Sequence, residues 1–226
     1  MRHEATICVF AKPPRPGLAK TRLAAAVGEG LAAALARAFY EDTWSAATSL
    51  PWAKAVLATT EPAAGEWAGA KRAPTWPQGR GDLGDRLERV LRRALRDTPA
   101  ALAIGTDTPG LPPILFSQAR SALRDADAVV GPCEDGGFYL LGLRRCPPGL
   151  LRKLPWSAPH TFMQTLSRLR ERGLTTTVIA PWFDVDRPAD LACLRALIAR
   201  GELHAPATAR ALELFARAGL GRGECA

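Results

Sequence analysis

The sequence lacks the features that mark membrane, secreted and zinc-binding proteins. No apolar run approaches the roughly 20 residues that a bilayer-spanning helix needs. The five cysteines are scattered and form no Cys-x-x-Cys pair, which argues against a disulfide framework and against a structural zinc site. The first residues run directly into a strand-like segment, without the apolar core of a signal peptide. We therefore expect a cytoplasmic protein with no membrane partner.

The excess of positive charge bears on which partners the protein can bind. The formal net charge is +8, but much of it lies on helices beside acidic residues, as in segment 85–93. Such runs are typical of solvated helix faces. No basic stretch is interleaved with aromatic residues in the way a single-strand binder requires. Nucleic acid is therefore not an expected partner, whereas a small anionic substrate remains compatible with this charge.

Strand-like and helix-like segments alternate along the chain. Apolar patterns predict strands at 6–10, 53–58, 101–104, 128–131, 138–143 and 175–179, the fifth of them a candidate antiparallel strand. Helices are predicted up to residue 48 with a break near Gly28 and Gly30, and at 83–95, 113–125, 160–172, 188–200 and 207–218. Segment 61–84, rich in Pro, Gly and Trp, is expected to be a long surface loop. The pattern predicts one domain over residues 1–226 with a frayed C-terminal tail. It is an α/β fold whose mostly parallel sheet is covered on both faces.

The loop after the first strand concentrates positive charge. Lys12, Arg15, Lys20 and Arg22 lie in one short loop and the helical turn that follows it. A helix N-terminus adds free N–H groups, and Gly17 allows the backbone to approach a ligand closely. These residues are typical of a cradle for a di- or triphosphate. A plain basic surface turn is the alternative.

Two acidic segments follow predicted strands. Asp107 comes at the end of the strand 101–104 in Gly-Thr-Asp-Thr-Pro, and Asp184 and Asp186 lie between a strand and a helix. In a mostly parallel sheet the carboxyl ends of the strands form the site. Carboxylate oxygens at such positions can hold Mg²⁺ or Mn²⁺. The alternative is that these aspartates only cap turns and helices.

A third acidic segment, 131–139, places Glu134 and Asp135 before two glycines. One of these acids could orient or deprotonate an acceptor hydroxyl. An ordinary hairpin turn with Asp-Gly at its tip is the alternative.

The glycine-rich segment 79–84 matches Gly-x-Gly-x-x-Gly, but the prolines before it speak against the central strand that a dinucleotide site needs. Two interpretations stay open. The loop closes as a mobile lid over a nucleoside, with Gln78 bonding the base and Gly79 and Gly81 next to the nucleotide, or it only caps the following helix.

Four of these motifs together resemble a known family. They are the basic loop 12–23, Gly-Thr-Asp-x-Pro, Gly-Pro-x-Glu-Asp-Gly-Gly-Phe-Tyr and Asp-Val-Asp-x-Pro-x-Asp-Leu, in this order over about residues 7–194. The set is similar to the radical-SAM/selenodomain-associated transferases of type 1, within the nucleotide-diphospho-sugar transferase superfamily. The resemblance implies a three-layer α/β/α sandwich of the GT-A type.

The same resemblance implies an activity. Glycosyl transfer from a nucleotide sugar to a small-molecule acceptor is the first interpretation, with Asp107, Lys20, Asp135 and Glu134 as the catalytic groups. Parts of the pattern also look like small guanylyltransferases, which implies nucleotidyl transfer from a nucleoside triphosphate as an alternative. A nucleotide-binding regulator without catalysis is a third possibility, and measured turnover of any donor would separate it from both enzymes.

Overall fold

The computed structural model describes residues 3–61 and 74–217, and within them seven strands form one sheet. The strands are β1 (Ala5–Ala11), β2 (Ala53–Thr59), β3 (Thr75–Pro77), β4 (Ala100–Gly105), β5 (Ala128–Pro132), β6 (Phe138–Leu143) and β7 (Thr176–Val178). The helices are α1 (Thr21–Val27), α2 (Glu29–Thr48), α3 (Leu83–Ala94), α4 (Pro113–Asp125), α5 (Thr161–Glu171), α6 (Pro188–Ala199) and α7 (Pro206–Arg217).

The strand order across the sheet is β3-β2-β1-β4-β6-β5-β7. All neighbours pair in parallel except β6, which runs antiparallel to both β4 and β5. The sheet is therefore mixed but mostly parallel, and the suspected antiparallel strand at 138–143 is confirmed. The carboxyl ends of β1, β4 and β5 lie at the same edge of the sheet.

Alternating side chains of the strands face two separate apolar layers. On one face, Ile7 and Val9 of β1 pack with residues of α2 and α4, such as Tyr40 and Phe116. On the other, Cys8 packs in a layer that α3 and α5 contribute to. The helices thus cover both faces of the sheet, and the predicted three-layer α/β/α sandwich is confirmed.

A smaller apolar cluster joins the remaining helices. Leu23 of α1, Leu35 and Phe39 of α2, Leu194 of α6 and Leu212 of α7 pack together. This cluster fixes α1, and with it the basic loop before α1, against the rest of the molecule. Among the described residues, no helix has both the length and the apolarity needed to cross a bilayer.

Most predicted elements are present within one or two residues of their expected bounds. The break near Gly28 is confirmed, since Gly28 separates α1 from α2 with a φ of +84°. The prediction of a loop through 61–84 is wrong at residues 75–77, which form β3. Prolines are tolerated there because β3 is an edge strand, paired on one side only. Residues 62–73 and the predicted frayed tail, 218–226, lie outside the described residues.

Candidate functional site

The candidate site begins where β4 ends. The backbone N–H of Val185 donates to the carbonyl oxygen of Asp107 at 2.8 Å, which holds the late acidic segment against the loop after β4. Val185 itself is fully buried in the cluster that α1, α2 and α6 share. The two acidic segments, 77 residues apart in numbering between 107 and 184, therefore meet at one edge of the sheet.

Lys20 lies between the two acidic segments. Its Nζ is 2.6 Å from Asp107 Oδ1 and 2.9 Å from Asp186 Oδ1, and it also donates to the Val185 carbonyl oxygen at 2.7 Å. The Lys20 side chain is only 7% exposed, against 55% for Asp107 and 34% for Asp186. One buried ammonium thus binds both carboxylates that the sequence suggested as metal ligands.

Local backbone geometry directs Lys20 into this position. Lys20 precedes α1 with φ 48° and ψ 48°, a left-handed conformation that few non-glycine residues adopt. Its Nζ also lies 5.6 Å from the centre of the Phe39 ring on α2, within the range of a cation–π contact. Burial alone would lower the pKa of Lys20, but the charges of Asp107 and Asp186 outweigh it and raise that pKa. Lys20 is therefore a stable cation here.

These residues open into a cleft of about 570 Å³. Six of the predicted site residues line it: Lys12, Lys20, Arg22, Gln78, Asp107 and Asp186. Arg22 lies 3.7 Å from Asp186, so the loop and the first turn of α1 both contribute cations. The volume is within the usual range for a small-molecule site. The structure therefore brings the basic loop and the two acidic strand ends together around one cavity.

Two members of the predicted phosphate cradle do not line this cleft. Arg15 is 57% exposed and forms an ion pair with Glu61 at 2.8 Å. Gly17 adopts a φ of +75° beside the carboxylate of Glu29, so its conformation serves the turn. Their predicted roles in nucleotide binding remain predictions.

Asp184 belongs to a second group of ligand atoms. One oxygen each of Asp184 and Asp135 and the sulfur of Cys133 all lie within 4.8 Å of one another. Burial raises the pKa of Asp184 to about 6, and the negative charges of Asp135 and Asp186 add to the shift. Burial also raises the pKa of the Cys133 thiol well above its ordinary value, with Asp184 and Asp135 contributing. The three predicted metal ligands are thus divided between two groups.

The segment that carries Glu134 and Asp135 is a tight hairpin between β5 and β6. The N–H of Cys133 donates to the Gly137 carbonyl oxygen at 3.0 Å, and Asp135 Oδ1 accepts from the Gly137 N–H at 2.8 Å. Glu134 and Asp135 are exposed, and neither is among the residues that line the cleft. The hairpin interpretation is confirmed, and a role toward an acceptor stays a prediction.

The glycine-rich loop is held by side chains of α3. Arg89 donates to the carbonyl oxygens of Gln78 and of Arg80, the latter at 2.9 Å, and Arg86 donates to that of Gly81 at 3.0 Å. Asp82 caps α3 by accepting from the Asp85 N–H at 2.9 Å. These contacts favour the capping interpretation over the mobile lid.

Gln78, directly before this segment, and Leu83 within it both line the cleft. Of the two, Gln78 is the one predicted to bind the nucleotide. The side-chain amide of Gln78 donates to the Ala58 carbonyl oxygen at 2.9 Å, and Gln78 is 4% exposed. Gly79 and Gly81 are exposed and are not among the lining residues. The nucleotide-binding roles of Gln78, Gly79 and Gly81 remain predictions.

Sequence reasoning missed several residues of the cleft wall, among them Arg86, Phe138 and Trp156. Arg86 of α3 lines the cleft, whereas the charge pattern of segment 85–93 predicts a solvated helix face. Its place in the first turn, directly after the glycine-rich loop, was the available signal. Phe138 and Trp156 form an aromatic wall, with ring centres 6.2 Å apart and planes at 73°.

Comparison with solved structures supports the fold. The "putative nucleotide-diphospho-sugar transferase" from Desulfovibrio desulfuricans G20 is 28% identical, with a TM-score of 0.85 over 95% of this chain and 96% of that chain. No curated protein sequence matches the chain.

Two further structures are similar in fold alone. CMP:2-keto-3-deoxy-manno-octonic acid synthetase, complexed with CTP, is 18% identical with a TM-score of 0.56, over 88% of this chain and 99% of that chain. Rv0371c from Mycobacterium tuberculosis H37Rv, complexed with manganese, is 15% identical with a TM-score of 0.54, over 86% of this chain and 98% of that chain. The fold is thus similar to those of nucleotide-diphospho-sugar transferase and nucleotidyltransferase structures.

The family match runs from the last two turns of α2 to the turn before α5. It spans residues 42–158, just over half of the chain, and includes Asp107 and the hairpin acids but not the basic loop or Asp186. The radical-SAM association implied by the motifs stays a prediction. The chain belongs to the bacterial family described as "Uncharacterized protein conserved in bacteria (DUF2064)".

Proposed function

We propose that this chain is a metal-dependent transferase that uses a nucleoside-polyphosphate donor and transfers a glycosyl group from a nucleotide sugar to a small acceptor. One observation carries the proposal. In a single cleft, Lys20 joins the carboxylates of Asp107 and Asp186, while further cations line the adjoining wall. This arrangement suits a ligand that carries both phosphates and a divalent cation.

The donor's diphosphate would contact the cations of the cleft. Lys12, Arg22 and Arg86 come from the loop after β1, from α1 and from α3, so they approach from different elements. Hydrogen bonds from charged donors to phosphate oxygens are about twice as strong as neutral ones. Cations placed where a leaving group gains negative charge lower the barrier to its departure. We assign this role to these three residues and to Lys20.

The acids fit a divalent cation by their own geometry. Asp107 and Asp186 already converge on one positive charge, with oxygens 2.6 and 2.9 Å from the same nitrogen. Carboxylate oxygens are ligands that Mg²⁺ and Mn²⁺ accept. When bound, the ion would neutralise charge on the donor's phosphates. Asp107 and Asp186 would hold it, and Lys20 would exchange its carboxylate partners for phosphate oxygens.

Asp184 has a different place in the proposal. It faces Asp135 and Cys133, on the side of the hairpin between β5 and β6. We assign Asp184 to the metal-binding residues only as a neighbour of Asp107 and Asp186. The manganese complex of Rv0371c, a protein of similar fold, supports testing Mn²⁺ first.

The acceptor would bind toward the hairpin. Asp135 is exposed there and lies close to the acidic groups at the edge of the sheet. A carboxylate in this position can take the proton of an acceptor hydroxyl as the new bond forms. Glu134 is the neighbouring candidate, exposed at the turn. The aromatic wall of Phe138 and Trp156 gives the acceptor an apolar surface between hairpin and cleft.

Glycosyl transfer is favoured over nucleotidyl transfer for two reasons. The 28% identical relative bears the name of a nucleotide-diphospho-sugar transferase. In addition, Arg15 is paired with Glu61 and is not among the residues that line the cleft, so fewer cations of the loop face the cleft than the loop's sequence suggests. A triphosphate needs more positive charge than the diphosphate of a nucleotide sugar.

Nucleotidyl transfer remains the second candidate. The observation in its favour is that Lys12, Lys20 and Arg22 all line the cleft, as a triphosphate-binding loop requires. The CTP complex of a synthetase with a similar fold supports including cytidine nucleotides among the donors.

A donor panel distinguishes the two reactions. Nucleotide sugars and nucleoside triphosphates are supplied with Mg²⁺ or Mn²⁺ and a pool of small hydroxyl acceptors, and the released nucleoside diphosphate and pyrophosphate are measured in parallel. We expect nucleoside diphosphate from a sugar donor. Pyrophosphate from a triphosphate, with no diphosphate from any sugar donor, would overturn glycosyl transfer and establish the second candidate. Binding of nucleotides without turnover of any donor would indicate a regulator.

A further inference from the structure

A second cavity of about 620 Å³ lies on the face of the sheet that α3 and α5 cover. Its walls are α3, the turn 148–153 and α5. Five of its lining residues are cationic: Arg92, Arg152, Lys153, Arg168 and Arg172. Glu88 is the acid among the described lining residues.

The carboxylate of Glu88 is engaged by the backbone. It accepts from the N–H of Gly149 at 2.8 Å and from that of Leu151 at 3.4 Å. Its distance to the guanidinium of Arg92 is 4.0 Å, the limit of an ion pair. Glu88 therefore orders the turn, and its carboxylate is held by backbone N–H groups more closely than by Arg92.

Two of the cations also order this turn. Arg168 donates to the carbonyl oxygen of Arg152 at 2.8 Å, and Arg172 donates to that of Gly149 at 3.4 Å. Arg168 has Glu171 at 3.5 Å on its outer side. The cavity wall is thus fixed by hydrogen bonds from both flanking helices before any ligand binds, which reduces the entropy lost on binding.

The other cations are available to a ligand. Within the described part of the chain, the side chains of Arg92 and Lys153 donate no hydrogen bond, and the Arg152 side chain is 71% exposed with Asp85 at 3.6 Å. Lys153 adopts a left-handed φ of +55°, an uncommon conformation for a side-chain-bearing residue. Arg92 on α3 and the neighbouring Arg152 and Lys153 on the turn therefore line one space from two segments.

We propose that this cavity is a second binding site, for a small molecule that carries a di- or triphosphate group. Arginine binds phosphate oxygens in bidentate fashion, and several cations in one concavity favour a multiply charged anion over a single carboxylate. The volume matches a small ligand. The described lining includes no aromatic residue on which bases could stack, which disfavours single-stranded nucleic acid.

The two cavities share structural elements. Leu87 and Arg86 of α3 line the catalytic cleft, while Glu88 and Arg92 of the same helix line the second cavity. Segment 148–157 likewise contributes to both, through Lys153 on one side and Trp156 on the other. A phosphate ligand bound at the second site is thus separated from the cleft by one helix.

Calorimetric titration of the full chain with tripolyphosphate, in EDTA, tests the proposal. In the double variant Arg92→Ala/Lys153→Ala, the dissociation constant of at least one bound tripolyphosphate should rise roughly tenfold, since two charge-assisted contacts are removed. The control Arg195→Ala/Arg210→Ala removes the same charge from exposed positions on α6 and α7 and should titrate as the parent chain does. ATP should compete with tripolyphosphate, and the tighter ligand identifies the source of the phosphates.

The outcomes are separable from those of the donor panel because no turnover is measured. Identical titrations of the parent chain and the Arg92/Lys153 variant would overturn the second site. An equal loss in the control variant would do the same, since it would show that the binding depends on net charge alone. Binding of a single-stranded RNA oligonucleotide through Arg92 and Lys153, without binding of tripolyphosphate, would replace the proposal by a nucleic-acid surface.

Discussion

The ammonium of Lys20 lies 2.6 Å from a carboxylate oxygen of Asp107, so a residue expected to bind phosphate is paired with one expected to bind metal. The pair is asymmetric, because Lys20 is 7% exposed and Asp107 55%. Asp107 can therefore exchange its partner while Lys20 stays in place. This relationship leads to the first two predictions.

Asp107→Asn should lower turnover of the donor that the panel identifies by about a hundredfold or more, since it removes a charge that acts in the transition state. The amide keeps the shape of the side chain, so thermal unfolding should change little. The matched control is Asp125→Asn, an exposed aspartate at the end of α4. Equal activity of the two variants would remove Asp107 from the catalytic groups.

Lys20→Met should tighten the binding of Mn²⁺ in the absence of nucleotide by about tenfold, roughly 1.4 kcal/mol. The reason is that the competing ammonium no longer neutralises Asp107 and Asp186. Turnover should fall in the same variant. Lys12→Met, which also removes a cleft cation but makes no described contact with either acid, should leave the Mn²⁺ dissociation constant unchanged. Calorimetric Mn²⁺ titrations in which both variants match the parent chain would show that Lys20 does not compete.

Asp42→Ala should lower the free energy of unfolding by about 2–4 kcal/mol. The buried carboxylate of Asp42 accepts from the N–H groups of Ala207 and Thr208 at 2.9 Å and from the Thr208 hydroxyl at 2.6 Å. It thus fixes the first turn of α7 to α2. Denaturant unfolding measures the effect, and Asp125→Ala is the exposed control. A loss of less than 1 kcal/mol, by the same measurement, would show that the cap is not needed.

Gly136→Ala should destabilise the chain more than Gly28→Ala. Both glycines have positive φ, +88° and +84°, so both substitutions strain the backbone by about 1–3 kcal/mol. A Cβ on Gly136 would also lie 1.8 Å from the Pro159 carbonyl oxygen, whereas one on Gly28 would meet nothing within 4 Å. The difference in unfolding free energy, at least about 1 kcal/mol, isolates the steric contact. Equal losses of unfolding free energy in the two variants would mean that the hairpin shifts and relieves the contact with Pro159.

Asp127 should make stability depend on acidic pH. The hydrogen bond from Arg145, with the Thr175 backbone N–H, lowers the pKa of Asp127 to about 2. The pKa of an aspartate in the unfolded chain is about 3.9. Because the folded-state pKa is lower, the stabilisation is complete above the unfolded-state pKa and disappears as pH falls through the folded-state pKa. The difference in unfolding free energy between the parent chain and Asp127→Asn should therefore shrink between about pH 4 and pH 2. A difference that stays constant over this range would contradict the prediction.

The sheet could be predicted from the sequence because its signals are local. The continuous apolar runs of β1 and β4, and the glycine after α1, each determine structure within a few residues of themselves. The edge strand β3 could not be predicted in this way, because its pairing depends on β2 lying next to it. The neighbouring prolines also suppress the local pattern of a strand. The same distinction applies to the site.

The cleft residues at strand ends were predictable, but their partners were not. The position of Asp107 and Asp186 after strands placed both at one edge of the sheet. Nothing in the sequence indicated that Lys20 would bind both, since that depends on the left-handed backbone at Lys20 and on the packing of α1. Arg86 was missed because a helix's amphipathic pattern separates buried from exposed faces and does not identify an exposed face that borders a cavity.

The antiparallel strand β6 has a consequence for how two substrates can meet. Because β6 separates β4 from β5, these parallel strands lie two strand spacings apart, about 10 Å. The loop that carries Asp107 and the hairpin that carries Asp135 are therefore anchored on opposite sides of a gap one strand wide. A donor held by one and an acceptor held by the other would meet above the first residues of β6. The order of the strands would thereby set the distance between donor and acceptor. Substitutions in either loop would change which ligand binds there more readily than they would change the distance between the two ligands.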